Sequence, residues 1–258
     1  MGIKELFDLS GRTAIVTGGS RGLGLQMAEA LGEMGAKVVI TARKAKELSE
    51  AAEHLGRLGV EVLTHTCDLS DPGTSQPLVD EVMAKWGRID ILVNNAGTTW
   101  GAPMEAHPLE AWQKVLSLNL TAVFVLTQAV GKASMIPRRS GRIINIASVA
   151  GLSGTEPGFM STIGYNTTKA GLINFTKSLA CEWGKYNIHV NAIAPGVFPS
   201  KMSQGMIDNA GKYIIEHTPL KRMGNDRDLK GVTVLLASDA ADFMTGVVIP
   251  VDGGFAAL

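Results

Sequence analysis

The sequence predicts an α/β protein: one domain over residues 1–258, built as a doubly wound parallel sheet of about seven strands with helices on both faces. Three observations carry that prediction. Short β-branched runs alternate with longer amphipathic stretches, glycines recur where helices would hand over to strands, and a glycine-rich turn joins the first run to the first amphipathic stretch.

The runs lie at 13–17, 37–41, 60–64, 89–93, 142–146 and 188–192. Each is nearly continuous in apolar side chains, as expected of strands covered on both faces. Gly35, Gly59, Gly87, Gly141 and Gly184 each precede such a run, where a left-handed residue would close the preceding helix. Asp71-Pro72 reads as an N-cap with proline at the first helical position, opening a helix toward Trp86 that Gly87 ends. Two regions break the rhythm. Residues 147–164 are rich in Gly, Ser and Thr, and residues 194–224, with Pro195, Pro199 and Pro219, form the expected substrate loop or lid.

Composition narrows the partners. With 45% apolar residues the chain fills a sizeable core, and 24 Lys+Arg against 24 Asp+Glu leave no broad cationic surface, which argues against nucleic acid. The opening segment lacks a basic region followed by an apolar stretch, and residues 121–130 are too short to span a bilayer, so no membrane partner is expected. Cys67 and Cys181 suit reduced thiols, and the expected location is cytoplasmic. His54, His65, His107, His189 and His217 show no metal-ligand spacing, so no metal is expected.

The turn after the first run is Thr17-Gly18-Gly19-Ser20-Arg21-Gly22-Leu23-Gly24. Small residues let the backbone approach an anion, and the free N–H groups of the next helix face it, so this turn is a candidate pyrophosphate site. About twenty residues on, where a ribose 2′-hydroxyl would call for Asp or Glu, stand Thr41-Ala42-Arg43-Lys44. Arg43 suits a 2′-phosphate, with Arg21 as a second cation, which selects NADP(H) over NAD(H).

Ser148 follows the fifth run, and Tyr165 and Lys169 are one helical turn apart on one face. An ammonium beside a phenol favours phenolate, so Tyr165 is a candidate general acid/base and Ser148 a donor to a developing oxyanion.

Together with Asn94-Asn-Ala-Gly97, Asn119 in Leu-Asn-Leu-Thr, Pro195-Gly196 and Asp252-Gly-Gly254, these motifs resemble the short-chain dehydrogenase/reductase family over nearly the whole chain. The resemblance implies a Rossmann fold in which Tyr165 is the general acid/base. Lys169 then lowers the pKa of Tyr165 and holds the nicotinamide ribose, Ser148 orients the substrate, and Asn119 supports a water-linked proton relay. It also implies adenine at Asp68 and Leu69, contacts along the cofactor from Asn95, Ala96 and Gly97, and a nicotinamide held by Pro195, Gly196, Val197, Phe198 and Ser200. Ser148 and Tyr165 are 17 positions apart, a few more than is usual in the family, which implies an enlarged loop over residues 151–162.

Within the family, residues 94–101, 193–202 and 244–255 are similar to 3-oxoacyl-(acyl carrier protein) reductases of the rhamnolipid-synthesis type. That implies NADPH-dependent reduction of a 3-oxoacyl thioester or similar ketone. Lys201, Lys212, Lys221 and Arg222 are then candidate carrier contacts, and Met202, Met206, Met223 and Met244 are candidate pocket residues. A sugar or polyol dehydrogenase shares every catalytic residue, and a non-catalytic NADP(H) sensor could share the fold. Family members form tetramers through the helices carrying Asn119 and Tyr165, so a homotetramer is the expected assembly.

Overall fold

The computed structural model describes residues 2–154 and 161–257. In chain order its principal elements begin with β1 (Thr13–Thr17), α1 (Gly22–Glu33), β2 (Lys37–Ala42), α2 (Ala45–Arg57) and β3 (Val62–Thr66). They continue with α3 (Ser75–Trp86), β4 (Ile91–Asn94), α4 (Leu109–Arg138), β5 (Gly141–Ile146) and α5 (Ile163–Trp183). The last are β6 (Ile188–Pro195), α6 (Gln204–His217), α7 (Lys230–Ala237) and β7 (Val248–Val251).

Among the described residues the strands form one parallel sheet in the order β3-β2-β1-β4-β5-β6-β7. The direction of travel reverses between β1 and β4, and at such a point the connections leave on opposite faces and open a crevice beyond the strand C-termini. β1 shows how a fully buried strand serves two faces. Ala14 and Val16 pack with Met27, Ala28 and Leu31 of α1, whereas Ile15 packs with Leu78, Val79 and Val82 of α3 and Leu126 of α4.

Several local expectations shift. The third and fourth strands start at Val62 and Ile91, two residues later than their apolar runs, because buried Val60 and Ile89 pack in the core before ladder pairing begins. Gly35, Gly59 and Gly87 take the expected left-handed conformation, but Gly184 is helical and Gly141 already belongs to β5. Arg139 and Asn187 take the left-handed turns there instead. Asp71 caps as expected, its side chain accepting from the Gly73 N–H at 2.9 Å ahead of α3.

The segment 194–224 is less irregular than its composition implied, since α6 occupies its centre. α4 runs 30 residues, long and apolar enough by length alone to cross a membrane. Its Val123, Leu126, Val130 and Met135 are instead buried in the core of the fold. Two wider π turns interrupt it, at Ser117–Thr121 and Gly131–Met135.

Candidate active site

A cleft of about 1480 Å³ runs along the C-terminal ends of the strands. Its walls hold nearly all the residues singled out from sequence: Gly18, Ser20 to Gly24, Arg43, Asp68, Leu69, Asn95 to Gly97, Ser148, Tyr165, Lys169, Pro195 to Phe198 and Ser200. Gly19 and Asn119 stand behind the wall.

The glycine turn is held from beneath. Thr17 is a hub that the motif alone did not reveal: its hydroxyl accepts from the N–H groups of Asn95 and Ala96, both at 2.9 Å, and donates to the Val93 carbonyl at 3.2 Å. Asn95 returns the contact, its Nδ2 donating to the Thr17 carbonyl at 2.8 Å. A Cβ on Gly24 would sit 2.2 Å from the Gly18 carbonyl, so only glycine lets α1 start this close to the turn. Gly19 differs from expectation. A Cβ there would meet Ile40 of β2 at 2.7 Å, so this glycine serves strand packing rather than the cleft. The first turn of α1 has no side-chain cap, leaving its N–H groups to the cleft lined by Gly22, Leu23 and Gly24. That uncapped turn above a cradle only glycine can form fits a dinucleotide pyrophosphate.

Farther along, Arg43 faces Asp68 at 3.9 Å, with both side chains about half exposed or more. Asp68 also accepts from the Ser70 hydroxyl at 2.7 Å, and that bond, with the nearby Arg43, holds its carboxyl below the usual range. Sequence reasoning missed Glu47. It enters the cleft from α2, accepts from Arg21 Nη1 at 3.0 and 3.1 Å through its two oxygens, and accepts from Lys44 Nζ at 3.1 Å. Arg21 and Glu47 are 26 positions apart, so no local spacing could have exposed the pairing.

At the other end lie the candidate reactive groups. The short turn Val149–Gly151 starts at Ser148, whose hydroxyl accepts from the Ala150 N–H at 3.1 Å. A Cβ on Gly151 would fall 2.6 Å from the carbonyl carbon of Lys169, so the turn lies directly against α5 and brings Ser148 to Tyr165. Burial pushes the Tyr165 phenol up, and the hydrogen bond from Ser148 partly offsets the rise. Lys169 is 5% exposed; burial lowers its pKa to about 8. Its Nζ donates to the Ile146 carbonyl at 2.6 Å and lies 5.5 Å from the Tyr165 ring centre. Desolvation therefore governs both groups, where the sequence had suggested that the ammonium would govern the phenol.

Asn119 sits within the first π turn of α4, 1% exposed. Its Oδ1 accepts from the Thr98 N–H at 2.8 Å, and its Nδ2 donates to the Thr98 carbonyl at 2.9 Å and to Thr168 Oγ1 at 3.0 Å. The amide is thus spent on holding the wall beside Gly97 and Lys169.

Opposite this wall, Met202 and Met206 line the cleft, joined by Tyr213 of α6 and by Phe255. Met223 and Met244 do not line it; Met244 packs against the core. The candidate carrier contacts are mostly engaged: Arg222 with Asp228 at 2.5 Å, Lys212 with Glu216 at 3.8 Å, and Lys221 with the Glu216 carbonyl at 2.6 Å. The loop expected to be enlarged, 151–162, lies partly outside the described residues.

Known proteins resemble this chain over nearly its whole length. The family profile of short chain dehydrogenases matches residues 12–211. A gluconate 5-dehydrogenase of Gluconobacter oxydans is 37% identical over 97% of this chain and 96% of its own length. A rhamnolipids biosynthesis 3-oxoacyl-(acyl-carrier-protein) reductase of Pseudomonas aeruginosa is 39% identical over 96% of this chain and 98% of its own. The crystal structure of a gluconate 5-dehydrogenase from Burkholderia cenocepacia, in complex with NADP and tartrate, superposes with a TM-score of 0.93 at 34% identity, covering 100% of both chains.

Proposed function

The chain belongs to the short-chain dehydrogenase family, and from that premise we propose that it interconverts a ketone and a secondary alcohol with NADP(H). The observation that carries the proposal is that Ser148, Tyr165 and Lys169 line one cleft, the Ser148 turn lying against α5 and the Lys169 amine 5.5 Å from the centre of the Tyr165 ring.

The residues fit the cofactor from end to end. Gly18 and Ser20 to Gly24 would receive the pyrophosphate, Arg43 and Arg21 the 2′-phosphate, and Asp68 with Leu69 the adenine. Asn95, Ala96 and Gly97 run beside the dinucleotide, Lys169 holds the nicotinamide ribose, and the backbone of Pro195 to Phe198 with Ser200 holds the nicotinamide. When bound, the cofactor supplies or accepts a hydride. Tyr165 gives its proton to the carbonyl oxygen as the alcohol forms and takes it back in the reverse direction. A phenol whose pKa is raised by burial stays protonated at neutral pH, which suits the reducing direction. Ser148 donates to the same oxygen as charge develops. Asn119 is a positioning residue whose amide ties Thr98 to Thr168.

The substrate we favour is a 3-oxoacyl thioester or a similar uncharged ketone. Met202, Phe255 and Met206, which α6 within 194–224 contributes to the cleft, offer apolar contact. Among the described lining residues, Arg21 and Lys44 pair with Glu47 and Arg43 with Asp68, while Lys169 donates to the Ile146 carbonyl. The carboxylate of an aldonic acid would therefore have to displace an existing partner from any of these cations. A second reading, sugar or polyol oxidation, is favoured by the hydroxyls of Thr99, Ser153, Ser161 and Thr162 in the same wall, and by the gluconate dehydrogenases among the relatives. Exposed Leu109 and Phe124 on α4 and Ile163 on α5 support a homotetramer through those helices, and the free thiols of Cys67 and Cys181 support a cytoplasmic location.

The test is a panel assay following NADPH oxidation with acetoacetyl thioesters, short diketones and keto-sugars. The favoured reading expects kcat/KM for a thioester at least about tenfold above any keto-sugar, roughly what one added apolar contact supplies. The reverse order establishes the second reading. Tight NADPH binding with no turnover on any ketone would make the protein a sensor.

A further inference from the structure

Glu47 introduces a negative charge where a 2′-phosphate is expected to bind. Arg21 Nη1 reaches both of its oxygens, at 3.0 and 3.1 Å, and Lys44 Nζ reaches one at 3.1 Å. Arg43 faces Asp68 at 3.9 Å. Three cations at this end thus already share two carboxylates. The hydrogen bond from Lys44, with Arg21 and Lys201 nearby, holds the Glu47 carboxyl below its ordinary range, so the residue is anionic at neutral pH.

We propose that Glu47 is a specificity-determining residue: as an internal counter-ion for Arg21 and Lys44 it reduces the advantage of a nucleotide bearing a 2′-phosphate and keeps NADH within reach of the same site. The inference rests on the NADP(H) reading above. A 2′-phosphate carries close to two negative charges at neutral pH and must either displace the Glu47 carboxylate from Arg21 or lie beside it. Either route subtracts from the attraction of the cations. A nucleotide with a free 2′-hydroxyl meets no such repulsion. The effect is moderate, because Arg21 keeps 52% of its side chain exposed and Glu47 27%, and water screens such pairs.

Equilibrium binding of NADPH and NADH, read from nicotinamide fluorescence without substrate, tests this on wild type, Glu47→Gln and Glu50→Gln. Glu50 is also on α2, but its partner is Lys46 at 3.9 Å. The proposal expects Glu47→Gln to tighten NADPH by about three- to tenfold and to leave NADH within about twofold, so the Kd ratio widens. Glu50→Gln should leave the ratio within about twofold. An unchanged ratio in Glu47→Gln, weaker NADPH, or loss of both nucleotides would overturn the proposal, the last showing that Glu47 holds the pocket together. An equal gain in both substituted proteins would also overturn it, as general charge reduction. Binding of neither nucleotide to wild type overturns the NADP(H) reading and this proposal with it.

Discussion

At the adenosine end of the cleft, Arg21, Arg43 and Lys44 meet Glu47 and Asp68 with much of each side chain in water. At the catalytic end, Tyr165 and Lys169 are set by burial, with Ser148 and a main-chain carbonyl as their partners. One sheet edge therefore carries two kinds of electrostatics. Exposed pairs contribute about 1 kcal/mol or less and can exchange partners, whereas a buried amine or phenol cannot find a replacement for a lost contact. Selectivity between nucleotides should be tunable in small steps, and catalysis should fail in large ones.

The contrast predicts an ordered set of losses. Lys169→Met should lower kcat/KM by about a thousandfold, within the range of a displaced acid/base system. The same substitution has a pH signature. The Lys169 pKa falls from 10.5 to about 8 on folding, so between those values the unfolded chain binds more protons and stability rises with pH. The penalty is fully present below about pH 8 and vanishes above the unfolded value. Wild type should thus gain about 3 kcal/mol on Lys169→Met across that window in urea titrations, at about 1.4 kcal/mol for each pH unit the window spans. A flat difference would mean that Lys169 is not desolvated.

Ser148→Ala should cost about a hundredfold in kcat with little change in NADPH affinity, the effect of one lost oxyanion donor. Gly151→Ala should destabilise by about 1–3 kcal/mol, seen as a fall of a few degrees in Tm, because its new methyl meets the Lys169 backbone at 2.6 Å. The smallest effect belongs to the wet end. Arg43→Ala should reduce the NADPH over NADH preference in kcat/KM by about tenfold while kcat stays within about twofold. If Arg43→Ala instead cost as much kcat as Ser148→Ala, the contrast between the two ends would not hold.

The sheet was legible because β1, β2, β5 and β6 each carry three or more β-branched or other apolar residues within a short run, the mark of strands buried on both faces, even though Asn145, His189 and Asn191 interrupt two of them. Strand starts were less so, since the burial of Val60 and Ile89 precedes hydrogen-bond pairing. That Ser148, Tyr165 and Lys169 come together in one cleft was legible from spacing on one helix and one strand end. Tertiary proximity was not: Thr17 holding the Asn95 loop, Glu47 reaching Arg21, and Gly151 lying on α5 each join residues with no sequence period between them. The direction of the Tyr165 pKa change was also hidden. It depends on how much water the fold removes, which a Tyr-x-x-x-Lys spacing does not encode.

The proposed chemistry turns on Tyr165 moving the proton while the rest of the cleft holds the nucleotide. Tyr165→Phe keeps the ring and removes only the hydroxyl, so turnover of the best ketone from the panel and the Kd for NADPH should be measured side by side on that variant. A fall in kcat of about a thousandfold is expected, with NADPH affinity within about threefold of wild type. Unchanged turnover on every ketone that wild type reduces would contradict that role for Tyr165.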